Sequence, residues 1–291
     1  MLWRRIISMM LLSGALSLQA ADSLKIVSWN IFMVPPVVFK SCQQERAGHI
    51  AAYLKSQQAD VIVLQEAFMK DINQQLLERL QSDFPYQTTP TKKGWIKSNS
   101  GVWILSKYPI LKQDFILYKH RKGTDIFSKK GAVFAELHTG KNTLQLIATH
   151  TQSLGKFRHI REKQLQQLKT QLADVYYRDS IPQVIIGDLN VDFYDTSAYS
   201  ALTQILDVDD IRYTGSTHSW DGINNQLAAK YFEKIQETLD YILLRKTPEN
   251  KATLLPVKID TPIQKDCFCK ASFNDLSDHY PLSTMLHFHT P

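Results

Sequence analysis

Val184-Ile185-Ile186-Gly187-Asp188-Leu189-Asn190 is the stretch of sequence that decides the fold. Three β-branched residues bounded by a glycine are typical of a short buried strand. Two polar side chains follow directly where this strand ends. In α/β proteins the ends of buried strands carry the binding and catalytic groups. The stretch therefore predicts a buried strand that brings Asp188 and Asn190 to a functional edge.

The same arrangement, an apolar run that ends in a polar residue, recurs along the chain. Apolar runs predict strands at residues 24–29, 60–64, 102–105, 132–137, 144–149, 184–186, 239–244 and 282–288. Amphipathic patterns between them predict helices at residues 46–57, 72–80 and 160–176. No linker, repeat or shift in composition divides the chain. The sequence therefore predicts an α/β fold with two packed sheets, in a single domain that spans residues 21–291.

Length and composition limit the class of protein. The 291 residues are 44% hydrophobic and 21% charged, which is ordinary globular composition and excludes disordered, collagen-like and coiled-coil proteins. Arg4 and Arg5, an apolar run at residues 6–18 and the small residue Ala20 together predict a secretory signal peptide over residues 1–20. We therefore expect a secreted protein. The net charge of +6 permits an anionic partner but does not require one.

Several of the polar residues at strand ends offer oxygen atoms that suit a metal ion. Asn30 ends the first predicted strand, Glu66 follows the second and Asp278 precedes the last. Carboxylate and amide oxygens are the hard ligands that Mg²⁺ prefers. Each residue alone has an ordinary explanation, because an isolated Glu66 is most often a solvated carboxylate. Their shared position at strand ends is what indicates a site.

The remaining strand-end residues suggest acid–base chemistry. His150 and His279 could serve as acid and base, with Asp240 holding His279 in one tautomer. Asp188 and Asn190 could position a water molecule or a phosphoryl oxygen. Carboxylates, an amide and imidazoles around a divalent ion favour phosphodiester hydrolysis over acyl transfer.

These motifs resemble, in order, those of the endonuclease/exonuclease/phosphatase superfamily. The residues that carry the resemblance are Asn30, Gln65-Glu66, residues 100–110, Gly187-Asp188-Leu189-Asn190, Leu239-Asp240-Tyr241 and Ser277-Asp278-His279-Tyr280-Pro281. Finer motifs, including Thr149-His150-Thr151-Gln152 and Ser219-Trp220-Asp221, are similar to those of the bacterial neutral sphingomyelinases. The resemblance implies a DNase I-like, four-layered α/β sandwich: two packed mixed β-sheets flanked by helices.

The resemblance also implies a role for each residue. Glu66 would be the main Mg²⁺ ligand, with Asn30 and Asp278 beside it. His279 would be the general base, with Asp240 as its orienting partner. His150 would stabilise the leaving oxygen or the transition state, and Asp188 and Asn190 would position water and phosphate.

The activity implied is that of a secreted phospholipase C that hydrolyses sphingomyelin to ceramide and phosphocholine at a phospholipid membrane surface. A secreted metal-dependent nuclease is the alternative, although the weak net charge makes nucleic acid an unfavourable partner. A catalytically silent binding protein would not need every one of these polar residues.

Two segments leave the mode of membrane docking open. The sphingomyelinases carry an exposed hairpin with adjacent aromatic residues before the last motif. Residues 264–270 of this chain contain a single aromatic residue, Phe268, between Cys267 and Cys269. Pairing of either cysteine with Cys42, or with each other, stays open. Residues 32–39 are apolar, and Pro35-Pro36 predicts a loop that either contacts lipid or packs on the sandwich.

Overall fold

The computed structural model of the protein describes residues 22–89, 100–264, 268 and 273–289. Its strands are β1 (Ser23–Met33), β2 (Val61–Ala67), β3 (Tyr86–Gln87), β4 (Trp103–Ser106), β5 (Ile110–Leu117), β6 (Gly131–His138), β7 (Thr143–His150), β8 (Gln183–Asp188), β9 (Tyr213–Gly215), β10 (Trp220–Asp221), β11 (Gln236–Glu237), β12 (Asp240–Leu244), β13 (Ala252–Leu254), β14 (Val257–Ile259) and β15 (Leu282–Phe288). Its helices are α1 (Gln43–Ser56), α2 (Lys70–Leu80), α3 (Arg158–Leu168), α4 (Asp174–Tyr176), α5 (Thr196–Leu206) and α6 (Gln226–Tyr231).

The strands form two large sheets. The first has the order β3-β4-β2-β1-β15-β14-β9, with β13 also paired to β15, and the second has the order β12-β8-β7-β6-β5. Each sheet is mixed, since β1 and β2 are parallel, as are β7 and β8, while most other pairs are antiparallel. A small sheet of β10 and β11 lies apart from both.

The two large sheets pack face to face, and helices cover their outer faces. Val63 of the first sheet and Ile186 of the second belong to the core between the sheets. Helices α1 and α2 pack on the outer face of the first sheet, while α3 and α5 pack on the outer face of the second. The architecture is therefore the four-layered α/β sandwich that the sequence predicts.

Alternation along the central strands explains why they read as continuous apolar runs. Val61 and Val63 of β2 face the core between the sheets, while Ile62 and Leu64 face α1 and α2. A strand with helices on one side and a sheet on the other has no solvent-facing side chain, so every position is apolar. The same holds for residues 184–186 in β8.

Several elements differ from the sequence prediction. Strand β1 continues to Met33, so the prediction that Phe32 begins a loop is wrong; a register shift between Asn30 and Met33 lets the strand continue as a bulge. The helix predicted at 160–176 begins at Arg158 and passes through a π-helical turn at Lys169–Ala173 into α4. Helix α5 and the polar edge strand β5 were not predicted.

Several predictions fall at the limits of the described chain. The signal peptide over residues 1–20, Cys267 and Cys269 lie outside the described residues, and the single domain over residues 21–291 stays a prediction. Cys42 is half-buried and free among the described residues, and its pairing with Cys267 or Cys269 stays open. Phe268 is buried against His49 and Phe273. Within the described ranges, no helix is both long and apolar enough to cross a membrane.

Candidate active site

The polar residues predicted from the sequence meet at one edge of the sandwich. Strands β1 and β2 run parallel and deliver Asn30 and Glu66 side by side. In the second sheet, Asp188 at the end of β8 is the register partner of both His150 and Asp240. The two sheets meet through His150, whose Nε2 lies 3.3 Å from Asp188 Oδ2 and 4.0 Å from Glu66 Oε1.

Asp188 lies at the centre of this edge and is buried. Its Oδ2 accepts a hydrogen bond from Asn30 Nδ2 at 3.1 Å and lies 3.7 Å from His279 Nε2. Its Oδ1 accepts a hydrogen bond from the backbone N–H of Asn190 at 3.0 Å, and Asn190 Nδ2 donates to the Thr151 carbonyl. Asp188 therefore ties both sheets and both histidines to one point.

His279 is held by contacts on both its ring and its backbone. Its Nδ1 lies 2.8 Å from Asp240 Oδ2, which also accepts a hydrogen bond from Ser219 Oγ at 2.7 Å. The Trp29 indole donates to the His279 carbonyl at 2.8 Å. The contact between Asp240 and His279 Nδ1 fixes the imidazole with Nε2 directed toward Asp188. This is the arrangement of an orienting carboxylate behind a proton-transferring histidine.

Burial and charge separate the two histidines. Burial alone would lower the pKa of His279, but the carboxylates of Asp240 and Asp188 outweigh it and raise the pKa to about 10. Burial holds the pKa of His150 well below its usual range, and the Lys130 charge acts in the same direction. His279 therefore takes up a proton readily, while His150 is a neutral imidazole.

The carboxyl groups are held in an environment that disfavours their charge. Burial raises the pKa of Asp188 to about 6 and that of Asp278 to about 7, in both cases against the pull of the His279 charge. Burial also raises the pKa of Glu66. Glu66 and Asp278 lie close enough that the charge of Glu66 adds to the rise at Asp278. Such a cluster of buried acids is stabilised by a bound cation.

The donor set fits a hard divalent cation. Among the described residues, Glu66 Oε2 is buried and has no hydrogen-bond partner, and Asn30 and Asp278 lie beside that carboxylate. A buried carboxylate oxygen that accepts no hydrogen bond from the protein is free to coordinate a cation. A second set consists of Asp188, Asp240 and His279, whose ligand atoms lie within 4.8 Å of one another. The sequence predicted the first set as metal ligands and assigned the three residues of the second set to catalysis.

Two supporting residues were missed by sequence reasoning. Lys130 is buried, and its Nζ donates to the Thr151 carbonyl at 2.8 Å and lies 3.0 Å from Asp125 Oδ2. Its charge acts to lower the pKa of Glu66 and of Asp188 against their burial. Ser219 orients Asp240. Ser219 stands in the Ser219-Trp220-Asp221 motif that carries the resemblance, but nothing in the sequence indicates the contacts of Ser219 or of Lys130.

The chain is similar in sequence to known phosphodiesterases. Residues 27–279 match the model of the endonuclease/exonuclease/phosphatase family. The chain is 31% identical to a phospholipase C of Staphylococcus aureus over 312 residues, which cover 94% of this chain and 92% of that protein. It is 32% identical to sphingomyelinase C 2 of Leptospira interrogans over 288 residues. That match covers 89% of this chain but only 45% of the relative.

A solved structure extends the comparison to the fold and to a metal. A mutant of the β toxin of Staphylococcus aureus with bound magnesium ions superposes with a TM-score of 0.81 at 29% identity. The match covers 90% of this chain and 99% of the toxin chain. The DNase I-like sandwich implied by the sequence is thereby confirmed.

Proposed function

The chain belongs to the endonuclease/exonuclease/phosphatase family, and we propose that this phosphoric diester hydrolase is a secreted, Mg²⁺-dependent phospholipase C that hydrolyses sphingomyelin to ceramide and phosphocholine. The observation that carries the proposal is the pairing of His279 Nδ1 with Asp240 at 2.8 Å, beside a Glu66 carboxylate with an unpartnered buried oxygen. The substrate is supported by the relatives, which are a phospholipase C and a sphingomyelinase C.

His279 acts as the general base. Its Nε2 takes one proton of a water molecule, the water oxygen bonds to phosphorus, and the bond between phosphorus and the ceramide oxygen breaks. Asp240 holds Nδ1–H through the 2.8 Å hydrogen bond and stabilises the imidazolium that forms. The departing ceramide oxygen takes a proton from water, and the His279 imidazolium returns its proton to the solvent, which balances the step and completes the two products.

The other polar residues hold the phosphoryl group and the leaving oxygen. His150, a neutral imidazole, directs its Nε2 toward Asp188 at 3.3 Å and can donate a hydrogen bond to an oxygen that gains charge. Asp188 is fixed by Asn30 and by the backbone of Asn190, so it positions the water rigidly.

Glu66, Asn30 and Asp278 are the residues that would hold Mg²⁺. When bound there, the ion would offset the carboxylate charge, polarise the phosphoryl oxygens and lower the pKa of His279 toward the range in which its neutral form accepts a proton.

The decisive experiment offers the purified mature chain two substrates in parallel, sphingomyelin liposomes and supercoiled DNA, with Mg²⁺ or with a chelator. We expect Mg²⁺-dependent release of phosphocholine and no nicking of the DNA. His279→Ala should abolish the release, while Asp60→Asn, at the opposite end of β2, should leave it unchanged. Nicking of DNA without release of phosphocholine would replace this proposal with the nuclease.

A membrane surface is the partner that the exposed apolar residues near the site favour. Phe32 is buried, and the rings of Phe32 and Phe39 pack on Phe232 at centroid distances of 5.8 and 5.4 Å. Phe232 in turn packs on Trp220, which bridges to His279. This aromatic cluster links the active site to the surrounding surface.

Phe232 and four other exposed side chains in this region are here named the apolar rim: Val37, Val38, Ile223, Phe232 and Ile235. Val37 is 93% exposed and Val38 60% exposed, in a turn closed by the hydrogen bond from the Val38 N–H to the Pro35 carbonyl. Exposed apolar residues beside a lipid-hydrolysing site are suited to the bilayer interface.

Replacing two valines of the apolar rim with aspartate tests whether this surface docks on the membrane. The Val37→Asp/Val38→Asp variant should lose sedimentation with sphingomyelin liposomes while retaining activity on detergent-dispersed substrate. Val175→Asp replaces an exposed valine on α4 and serves as the matched control. Equal liposome binding by the double variant and by this control would exclude the apolar rim as the docking surface.

Export is the remaining part of the proposal. Residues 1–20 would be removed on secretion, so the exported protein should begin near residue 21. N-terminal sequencing of the exported protein tests this, and a retained Met1 would contradict it.

A further inference from the structure

Arg46 is a buried cation for which the proposed mechanism has no use. It lies in the first turn of α1 and is 0% exposed. Its five N–H groups are all engaged, and the acceptors among the described residues are backbone carbonyls, a hydroxyl and a thioether rather than a carboxylate. Because burying an unpaired guanidinium is expensive, this arrangement requires an explanation.

The acceptors of Arg46 lie on three separate segments. Nη1 donates to the Ile31 carbonyl at 3.1 Å and to the Leu276 carbonyl at 2.7 Å. Nη2 donates to the Phe32 carbonyl at 2.6 Å and to Ser41 Oγ at 2.9 Å, and Nε donates to the Ser41 carbonyl. The guanidinium thus joins the end of β1, the segment before α1 and the segment before β15.

Two of these segments carry predicted magnesium ligands. Ile31 follows Asn30 directly, and Leu276 lies two residues before Asp278. The ladder between β1 and β2 is interrupted between Asn30 and Met33, and Phe32 has a positive φ of 49°. The bulge leaves the carbonyls of Ile31 and Phe32 outside the ladder, and Arg46 supplies their hydrogen bonds.

We propose that Arg46 is a positioning residue of the active site: its guanidinium clamps the bulge after Asn30 to the backbone before Asp278 and so sets the spacing of these two ligands. The inference rests on the proposed function, because it concerns the same magnesium site. The planar guanidinium directs five N–H donors outward and so reaches three segments at once. A lysine ammonium has three donors and cannot make the same set of hydrogen bonds.

The test compares two buried arginines. Arg46→Lys keeps the charge but loses the fork, and Arg245→Lys makes the same change at the far end of β12, where Arg245 contacts Gln183 and Asp174. Calorimetric titration should show that Arg46→Lys weakens Mg²⁺ binding by about 10–100-fold, the range for residues that orient metal ligands. Arg245→Lys should leave the affinity unchanged, even where the two variants lose similar Tm.

A second readout does not depend on metal or substrate. Amide hydrogen exchange of the metal-free proteins should be faster at residues 31–33 and 276–280 in Arg46→Lys than in wild type, and unchanged there in Arg245→Lys. If Arg46→Lys does not fold, Ser41→Ala, which removes one acceptor, should weaken Mg²⁺ binding and speed the same exchange to a smaller extent. Mg²⁺ affinity and exchange equal to those of Arg245→Lys would overturn the inference. Absence of phosphocholine release by the wild type would count against the proposed function alone.

Discussion

Asp240→Asn is the most informative single change in the active site. The substitution keeps the size of the side chain and its hydrogen bond from Ser219 Oγ, and removes the charge 2.8 Å from His279 Nδ1. Asp240 Oδ1 is buried without a hydrogen-bond partner among the described residues. The variant amide therefore places its NH₂ group there without displacing another contact, and its oxygen still accepts from His279.

The size of the effect follows from the bond that is weakened. A hydrogen bond to a charged group contributes about 1.5–3 kcal/mol, and this one strengthens as His279 becomes an imidazolium in the transition state. At roughly 1.4 kcal/mol for each factor of ten, kcat/KM should fall about 10- to 150-fold.

The pH dependence gives the sharper result. The charge of Asp240 is the main influence that raises the pKa of His279 against its burial. Removing that charge lowers the pKa, so the neutral imidazole that acts as the base is present at lower pH. The acidic limb of the kcat/KM profile should move down by about 1–3 pH units.

Phosphocholine release measured across the pH range checks both effects together. Asp60→Asn, which removes a carboxylate bound to the Lys25 N–H at the other end of β2, should give the wild-type profile. An acidic limb for Asp240→Asn that stays in place or moves upward would show that His279 is not the base oriented by Asp240.

Three further predictions concern metal, core and pH. Glu66→Gln should abolish the rise in Tm with Mg²⁺, which for the wild type corresponds to about 2.7 kcal/mol at 100 times Kd; an equal rise in both would exclude Glu66 as the main ligand. Phe134→Ala should lower the free energy of unfolding by about 3–5 kcal/mol, read by urea titration, while activity per folded molecule is retained, because the buried ring belongs to the core beneath α3. In chelator, calorimetric Tm should fall from about pH 4 to about pH 7, because burial raises the pKa of Asp188 to about 6 and of Asp278 to about 7, so the folded state holds protons that the unfolded chain releases. A Tm that rises over this range would contradict this assignment.

The sequence predicts the central strands well, because strands that are buried on both faces appear in the sequence as continuous apolar runs. Strand β15 was predicted at its observed bounds and β8 within two residues, since Pro281 marks the start of the first and Gly187 closes the apolar run of the second. Strand β5 was missed because Lys112, Gln113 and Asp114 occupy an exposed edge, where a strand needs no apolar run. The missed helix α5 does have a start signal, since the Asp195 side chain caps it by accepting from the Ala198 N–H.

The active site was predictable in its members but not in its contacts. Strand ends indicate that Glu66 and His279 approach one edge, yet they do not show that His150 spans the two sheets or that Asp188 is their common neighbour. Arg46 had a signal that was overlooked: it occupies a buried position in the stripe formed by Ala47, Ile50 and Leu54 on α1. A charged residue within an apolar stripe is rarely buried unless paired, so the break in the pattern points to a special role.

The edge that carries the candidate site contains both irregular backbone and unpartnered polar atoms. Phe32, Glu66 and Asn190 adopt positive φ angles of 49°, 55° and 49°, and each lies near the end of a strand that delivers a site residue. Glu66 Oε2, His150 Nδ1 and Asp240 Oδ1 are buried without hydrogen-bond partners among the described residues. Such features lower stability and persist where the surrounding layers are stable enough to hold them. The apolar sandwich therefore supplies the stability that lets this one edge keep its carboxylates and imidazoles poised for a cation and a phosphodiester.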